Sequence, residues 1–246
     1  MGELIAVASG KGGTGKTSVT AAVASALARS GKRVLCIDCD IGLRNLDISL
    51  GLSECCPLSF LDVCEGGYPL SASAIHPDFP TLHFLTAPMS RPPEQISLDR
   101  FGAFLTAARR VYDFIFLDAP AGVEAGFKLA AAFADRCIIV TGSGPAAVRD
   151  AARTAQVLEL MGKTNVRLVV NRVNPKLIRA MDTTIDDVMD TAGLPLLGIV
   201  PEDKNVTLAA TFNQPLLKYK PRCAAARACT RISKRILGQP EPISIR

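Results

Sequence analysis

Near the start of the chain, glycines and a Lys-Thr pair fall at a spacing that handles phosphate. Gly10-Lys11-Gly12-Gly13-Thr14-Gly15-Lys16-Thr17 fits G-x-x-x-x-G-K-[ST]. Gly12, Gly13 and Gly15 let the backbone wind tightly, so that successive N–H groups, that of Thr14 included, turn inward toward phosphate oxygens. An apolar-periodic helix is expected from Lys16 to Ser30, and its start adds a positive dipole end at the same spot. In such a loop Lys16 bridges the β- and γ-phosphates of a nucleoside triphosphate, Thr17 coordinates Mg²⁺, and Ser18 reaches the α-phosphate.

Carboxylates recur where a metal and a water would need them. Asp38 and Asp40 are spaced i, i+2 at the end of an expected strand, where ligands of parallel sheets bind. Asp40 is the candidate for orienting the attacking water, and Asp38 for acting near Mg²⁺, directly or through water. Asn45 is placed to help position that water or a partner subunit, while Asp47 reads as a helix cap. Asp118 ends the most apolar strand, Phe114 to Asp118. A carboxylate there needs a cation, which Mg²⁺ held through water supplies. Gly122, four residues on, offers a backbone N–H able to sense the γ-phosphate.

These side chains need a scaffold that gathers strand ends. Apolar runs at 4–9, 33–38, 82–86, 114–118, 137–141, 166–170 and 196–200 alternate with helical segments, including 97–111 and an Ala-rich one near 146–161. Continuous apolar strands alternating with helices predict an α/β fold, a mostly parallel sheet with helices on both faces. One P-loop NTPase-like domain over residues 1–246 is expected, without internal repeats. The strand ends at Asn171-Arg172 and Pro201 to Asp203 belong at the same edge. There the Asn171 amide can pair with a base, Arg172 can stack on it, and Pro201 and Asp203 can close the other side.

With 48% hydrophobic and 21% charged residues, the chain has ample material for a core. It has no run of about 18 apolar residues and no secretory start, so a cytoplasmic protein is expected. Of eight cysteines, Cys36 and Cys39 form C-x-x-C on a strand and its edge, where alternation sends them to opposite faces. Cys55-Cys56 lacks a second pair at zinc spacing, and Cys223 and Cys229 are poorly spaced on a helix for joint ligation. Reduced thiols packed as small hydrophobes are expected. The net charge of +5 gathers at the end, in Lys218, Lys220, Arg222, Arg227, Arg231, Lys234, Arg235 and Arg246 against Glu241. That asymmetry suggests an anionic partner, either membrane surface or nucleic acid, of which the family resemblance given below makes nucleic acid the less expected.

Lys11, early in the loop, gives K-G-G-T-G-K-T, and with it the chain resembles the MinD/ParA family of deviant Walker A ATPases. The resemblance runs from about Gly2 to Gly238. It rests further on D-C-D-I-G-L-R-N-L-D at 38–47, D-A-P-A-G-V-E-A-G-F at 118–127, A-D-R-C-I-I-V-T at 134–141 and A-V-R-D-A-A-R at 147–153. I-G-L-R-N-L-D points to the branch that places the division septum. The resemblance implies ATP/ADP and Mg²⁺ as ligands and adenine as the base. It also implies a homodimer in the ATP state, with Lys11 crossing the interface to the partner's phosphates. Docking on an anionic membrane, recruitment of the division inhibitor MinC and a MinE-like or other regulator are implied too. The helix carrying Val148, Arg149, Asp150 and Arg153 resembles that family's partner-binding surface.

Relatives usually continue into a short amphipathic membrane-targeting helix, whereas here Pro240 and Pro242 precede a four-residue end. No such helix is expected. The basic segment Arg222 to Arg235 is then the candidate membrane contact, with Ile232, Ile236 and Leu237 facing either the core or lipid. Competing expectations are a partition- or flagellar-placement ATPase that binds DNA or protein, and a metal-cluster carrier on the same fold.

Overall fold

The computed structural model describes residues 1–55, 57–89 and 91–243. Cys56, Ser90 and the terminal Ser244-Ile245-Arg246 lie outside them, and with them part of the Cys55-Cys56 pair, the last basic residue and the chain end. The first half contains β1 (Glu3–Ser9), α1 (Lys16–Arg29), β2 (Val34–Asp38), α2 (Leu46–Leu50), α3 (Phe60–Cys64), β3 (Ala74–His76), β4 (Phe79–Leu85) and α4 (Leu98–Val111). β5 (Phe114–Ala121), α5 (Ala125–Ala132), β6 (Arg136–Thr141), α6 (Pro145–Leu160) and β7 (Val166–Val173) follow. The chain continues through α7 (Pro175–Ala180), α8 (Ile185–Ala192), β8 (Leu196–Pro201), α9 (Lys204–Thr211), α10 (Leu216–Tyr219) and α11 (Ala224–Ile236).

The eight strands form one sheet in the order β3-β4-β2-β5-β1-β6-β7-β8. Every pairing is parallel except β3 with β4 at one edge. Strand pleating divides each apolar run between two cores. Leu4, Ala6 and Ala8 of β1 face a core shared with α4, α5, α6 and α8, and Ile5 and Val7 face one shared with α1 and α11. Cys39 joins the first core and Cys36 the second, the opposite faces expected from strand alternation. Because β1 lies between β5 and β6, the loop leaving its end opens at the crevice where the connections diverge to opposite sides.

α1 is buried almost all round because it runs between the sheet and α11, and its alanines let both approach closely. α11 is amphipathic: Ala225, Cys229, Ile232 and Ile236 are buried while Arg227 and Lys234 are exposed. Of the two alternatives for Ile232 and Ile236, core or lipid, the structure has the core. Gly198 of β8 makes room for this helix, since a Cβ there would lie 2.4 Å from Ile232 Cγ1. Asp47 sits in the first turn of α2, where it accepts from the Ile48 N–H, and Asn45 holds the cap position. The expected Asp47 cap is therefore displaced by two residues, because the chain enters α2 through the tight turn that begins at Asp40.

Candidate nucleotide site

α1 begins with its N-cap at Gly15, which has no side chain to satisfy the first-turn N–H groups. By contrast Ser97, Ser59 and Thr184 cap α4, α3 and α8 with their hydroxyls. An uncapped, cationic helix start suits an anion. Gly13 and Gly15 take left-handed backbone, with φ of 80° and 82°. Cβ atoms at Gly12 and Gly13 would meet open space, whereas one at Gly15 would lie 2.4 Å from Asn171 Nδ2. The Thr14 hydroxyl is buried and has no hydrogen-bond partner among the described residues. These features fit a phosphate chain seated in the loop.

Beneath the loop lies a buried polar knot. Lys16 Nζ donates to Asp118 Oδ2 at 2.9 Å, and Thr17 Oγ1 donates to the same oxygen at 2.8 Å. Lys16 and Asp118 are 6% and 1% exposed, so each compensates the other's buried charge. The Thr20 hydroxyl lies 2.8 Å from Asp118 Oδ1. Thr17 and Asp118 offer an oxygen pair suited to Mg²⁺, directly or through water, and the residues present fit that ion.

Asp38 sits directly opposite Asp118 across the β2–β5 ladder. Its Oδ1 accepts the Asp40 N–H at 2.8 Å and its Oδ2 the Leu46 N–H at 3.2 Å. Burial first, and the nearby Asp118 charge second, push its carboxyl up to about 7. Both Asp38 oxygens hold the ends of the loop that carries Asp40, and each keeps acceptor capacity for water around Mg²⁺. Asp40 itself is half-buried, and burial raises its carboxyl while Lys16 opposes the rise. Arg44 closes the same loop in left-handed backbone, φ 46°, with Nε donating to Thr86 Oγ1 at 2.8 Å. Lys11 is exposed and its ammonium makes no hydrogen bond or ion pair among the described residues.

Gly122 directly follows the last residue of β5. Its N–H donates to the Ser9 carbonyl at 3.0 Å, because β5 continues past Asp118 and pairs with β1 as far as Ala121. In the free protein the N–H expected to sense the γ-phosphate is donated to that carbonyl.

A cleft of about 400 Å³ opens beside the loop, lined by Gly13, Gly15, Ser18, Asn171, Arg172, Pro201 and Asp203 among others. The strand ends expected to hold a base are therefore brought together, but their side chains are used differently. Asn171 Nδ2 donates to the Thr14 carbonyl at 2.8 Å, which leaves Oδ1 to accept from a base amine. The Arg172 guanidinium reaches toward Gly13 O at 3.4 Å and Glu202 at 3.5 Å, spanning the mouth of the cleft. The Asp203 carboxylate accepts from the Asn205 and Ala225 N–H groups, tying α9 to α11, so it holds that wall of the cleft. Leu216, Ala225 and Cys229, also in the lining, carried no sequence signal. Thr20 was missed as well, although its signal is legible: a hydroxyl four residues after Lys16 in a run of Val and Ala.

The family profile of the CobQ/CobB/MinD/ParA nucleotide binding domain matches residues 5–216. A putative septum site-determining protein MinD of Nephroselmis olivacea is 40% identical over 243 residues, 97% of this chain and 88% of the relative. A solved MinC:MinD cell division protein complex of Aquifex aeolicus contains a similar chain, with a TM-score of 0.90 and 33% identity, covering 98% of each. MinD of Pyrococcus horikoshii OT3, complexed with Mg-ADP, superposes with a TM-score of 0.83 at 28% identity over 96% of each chain.

Proposed function

From its place in the CobQ/CobB/MinD/ParA nucleotide-binding family, to which this chain belongs, we propose that it is a MinD-like ATPase controlling placement of the division site. The observation that carries this reading is the knot of Lys16, Thr17 and Asp118 beneath an uncapped glycine loop, opening onto a cleft sized for a nucleoside.

In the free protein Lys16 neutralises Asp118. When ATP arrives, Lys16 exchanges that carboxylate for phosphate oxygens, so one buried ion pair replaces another and the charge balance is kept. Thr17 and Asp118 would hold Mg²⁺, which would neutralise phosphate charge there. Asp40, its carboxyl raised by burial, orients the attacking water and accepts from it. Lys11, exposed and unpaired among the described residues, reaches across a homodimer formed in the ATP state to the partner's phosphates, which makes turnover depend on assembly.

Recruitment of a MinC-like inhibitor, and of a MinE-like regulator, belongs to α6. Arg149 and Arg153 are exposed there, and the Asp150 carbonyl packs where a Cβ on Gly10 would lie 2.4 Å away. A partner on α6 therefore sits one contact from the phosphate loop.

The protein is proposed to act in the cytoplasm and, in its ATP state, at an anionic membrane surface. The basic charge for this is smaller than the sequence suggests. Lys218 pairs with Asp78, Lys234 with Glu241, and Arg235 donates to the carbonyls of Leu197, Glu241 and Pro242. Lys220, Arg222 and Arg227 are exposed for lipid headgroups. Sedimentation with anionic liposomes, in Mg·ATP and in ADP at two salt concentrations, tests the membrane arm. Pelleting in ATP alone, weakened by salt, is expected. No pelleting with hydrolysis intact would remove the membrane and leave the enzyme.

A further inference from the structure

Asp118 uses both of its oxygens, and the two sides differ in what happens to their donors. Oδ2 accepts from Lys16 and Thr17 at 2.9 and 2.8 Å. Those are the two side chains assigned above to phosphate and Mg²⁺. Oδ1 accepts from Thr20 at 2.8 Å. Thr20 sits one turn deeper in α1, is 1% exposed, and lies beside the Lys16 carbonyl at 3.0 Å, so it stays behind when the others leave. Its single proton can serve only one acceptor, and the carboxylate is the stronger.

We propose that Thr20 is a positioning residue that fixes the Asp118 carboxylate, keeping Oδ2 aimed at the phosphate loop while Lys16 and Thr17 move to their ligands. Without it, a buried carboxylate released by Lys16 rotates or recruits another donor, and the site loses its preference for Mg²⁺-bound nucleotide. A β-branched threonine suits the task, because a helix restricts its side-chain torsion and so the direction of the hydroxyl. This rests on reading the site as one for ATP·Mg²⁺.

The test is binding of a fluorescent ADP analogue to the full chain, first in EDTA and then with Mg²⁺ titrated in. Thr20→Val keeps the shape and removes the hydroxyl, and Thr20→Ala removes it with no steric demand. Both are expected to bind in EDTA within about twofold of the unaltered protein. Both should need about 10- to 100-fold more Mg²⁺ to reach the high-affinity state. Thr20→Ser is expected to restore the Mg²⁺ midpoint, which a merely space-filling role would not require. An unchanged Mg²⁺ midpoint in Thr20→Val or Thr20→Ala, with the unaltered protein responding normally, overturns the role of Thr20 alone. An unaltered protein whose nucleotide binding ignores Mg²⁺ overturns the reading of the site, and this inference with it.

Discussion

Lys11 and Lys16 are separated by four residues of one loop and live in opposite environments. Lys16 is 6% exposed and locked to Asp118, while Lys11 projects into solvent. Lys16 is therefore placed to meet phosphate within its own loop, and half-buried Asp40 is the carboxylate proposed to address a water. Its neighbours Asp38 and Asp118 are already engaged. Asp40→Asn keeps the size and removes the acceptor charge. ATP binding is expected to survive within a few-fold while turnover falls by about 10²-fold or more, read by equilibrium binding beside steady-state hydrolysis. Turnover within twofold of the unaltered protein would reassign the water-orienting role.

At the scale of elements, β8 and α11 decide the shape of the nucleoside cleft. Gly198 lets Ile232 sit against the strand, and this brings Ala225 and Cys229 to the cleft lining. Gly198→Val forces Ile232 and Arg235 outward. It is expected to cost about 1–3 kcal/mol of stability, measured by urea unfolding, and to weaken nucleotide binding as α11 shifts. Unchanged stability would mean that α11 is free to move. The loop from Gly10 to Thr17 and the central strands were legible in the sequence because each is written in consecutive residues: a glycine pattern, or an apolar run buried on both faces. The α11 side of the cleft was not, since Cys229 reaches it only through packing 31 residues after Gly198. β3 was also invisible, because Ala74-Ile75-His76 is a three-residue edge strand bonded on one side with no period to detect. The fates of Gly122 and Asp203 depend on which neighbour reaches them first, and residue type alone does not carry that.

Across the whole molecule, the loop bearing Asp40 is anchored to the sheet edge through α2. The Asp78 N–H donates to His76 Nδ1 at 3.0 Å, so that nitrogen is the acceptor, and Nε2–H donates to the Leu50 carbonyl at 2.8 Å. Burial lowers the His76 pKa below its usual value. A histidine depressed in the fold contributes stability that is full above its unfolded value, about 6.5, and is lost as pH falls through that value toward the folded one. The His76 contribution is therefore expected to fall between pH 7.5 and 5.5, while Asp38, raised to about 7, gains stability over the same range as it takes up a proton. His76→Gln is expected to remove the falling part, so that its thermal midpoint declines less, or rises more, on acidification than that of the unaltered protein. Equal slopes in the two proteins would place the acid sensitivity elsewhere.

The claim that joins these scales is that two copies complete one another's chemistry. It is tested most directly by Mg·ATP hydrolysis per protomer across a wide range of protein concentration, with Lys11→Ala alongside. Activity per protomer is expected to rise with concentration and level off. Lys11→Ala is expected to bind nucleotide as well as the unaltered protein, yet to lose most of that rise. Activity per protomer that stays flat with concentration, and is indifferent to Lys11→Ala, would contradict a dimer-dependent ATPase and leave a site that works alone.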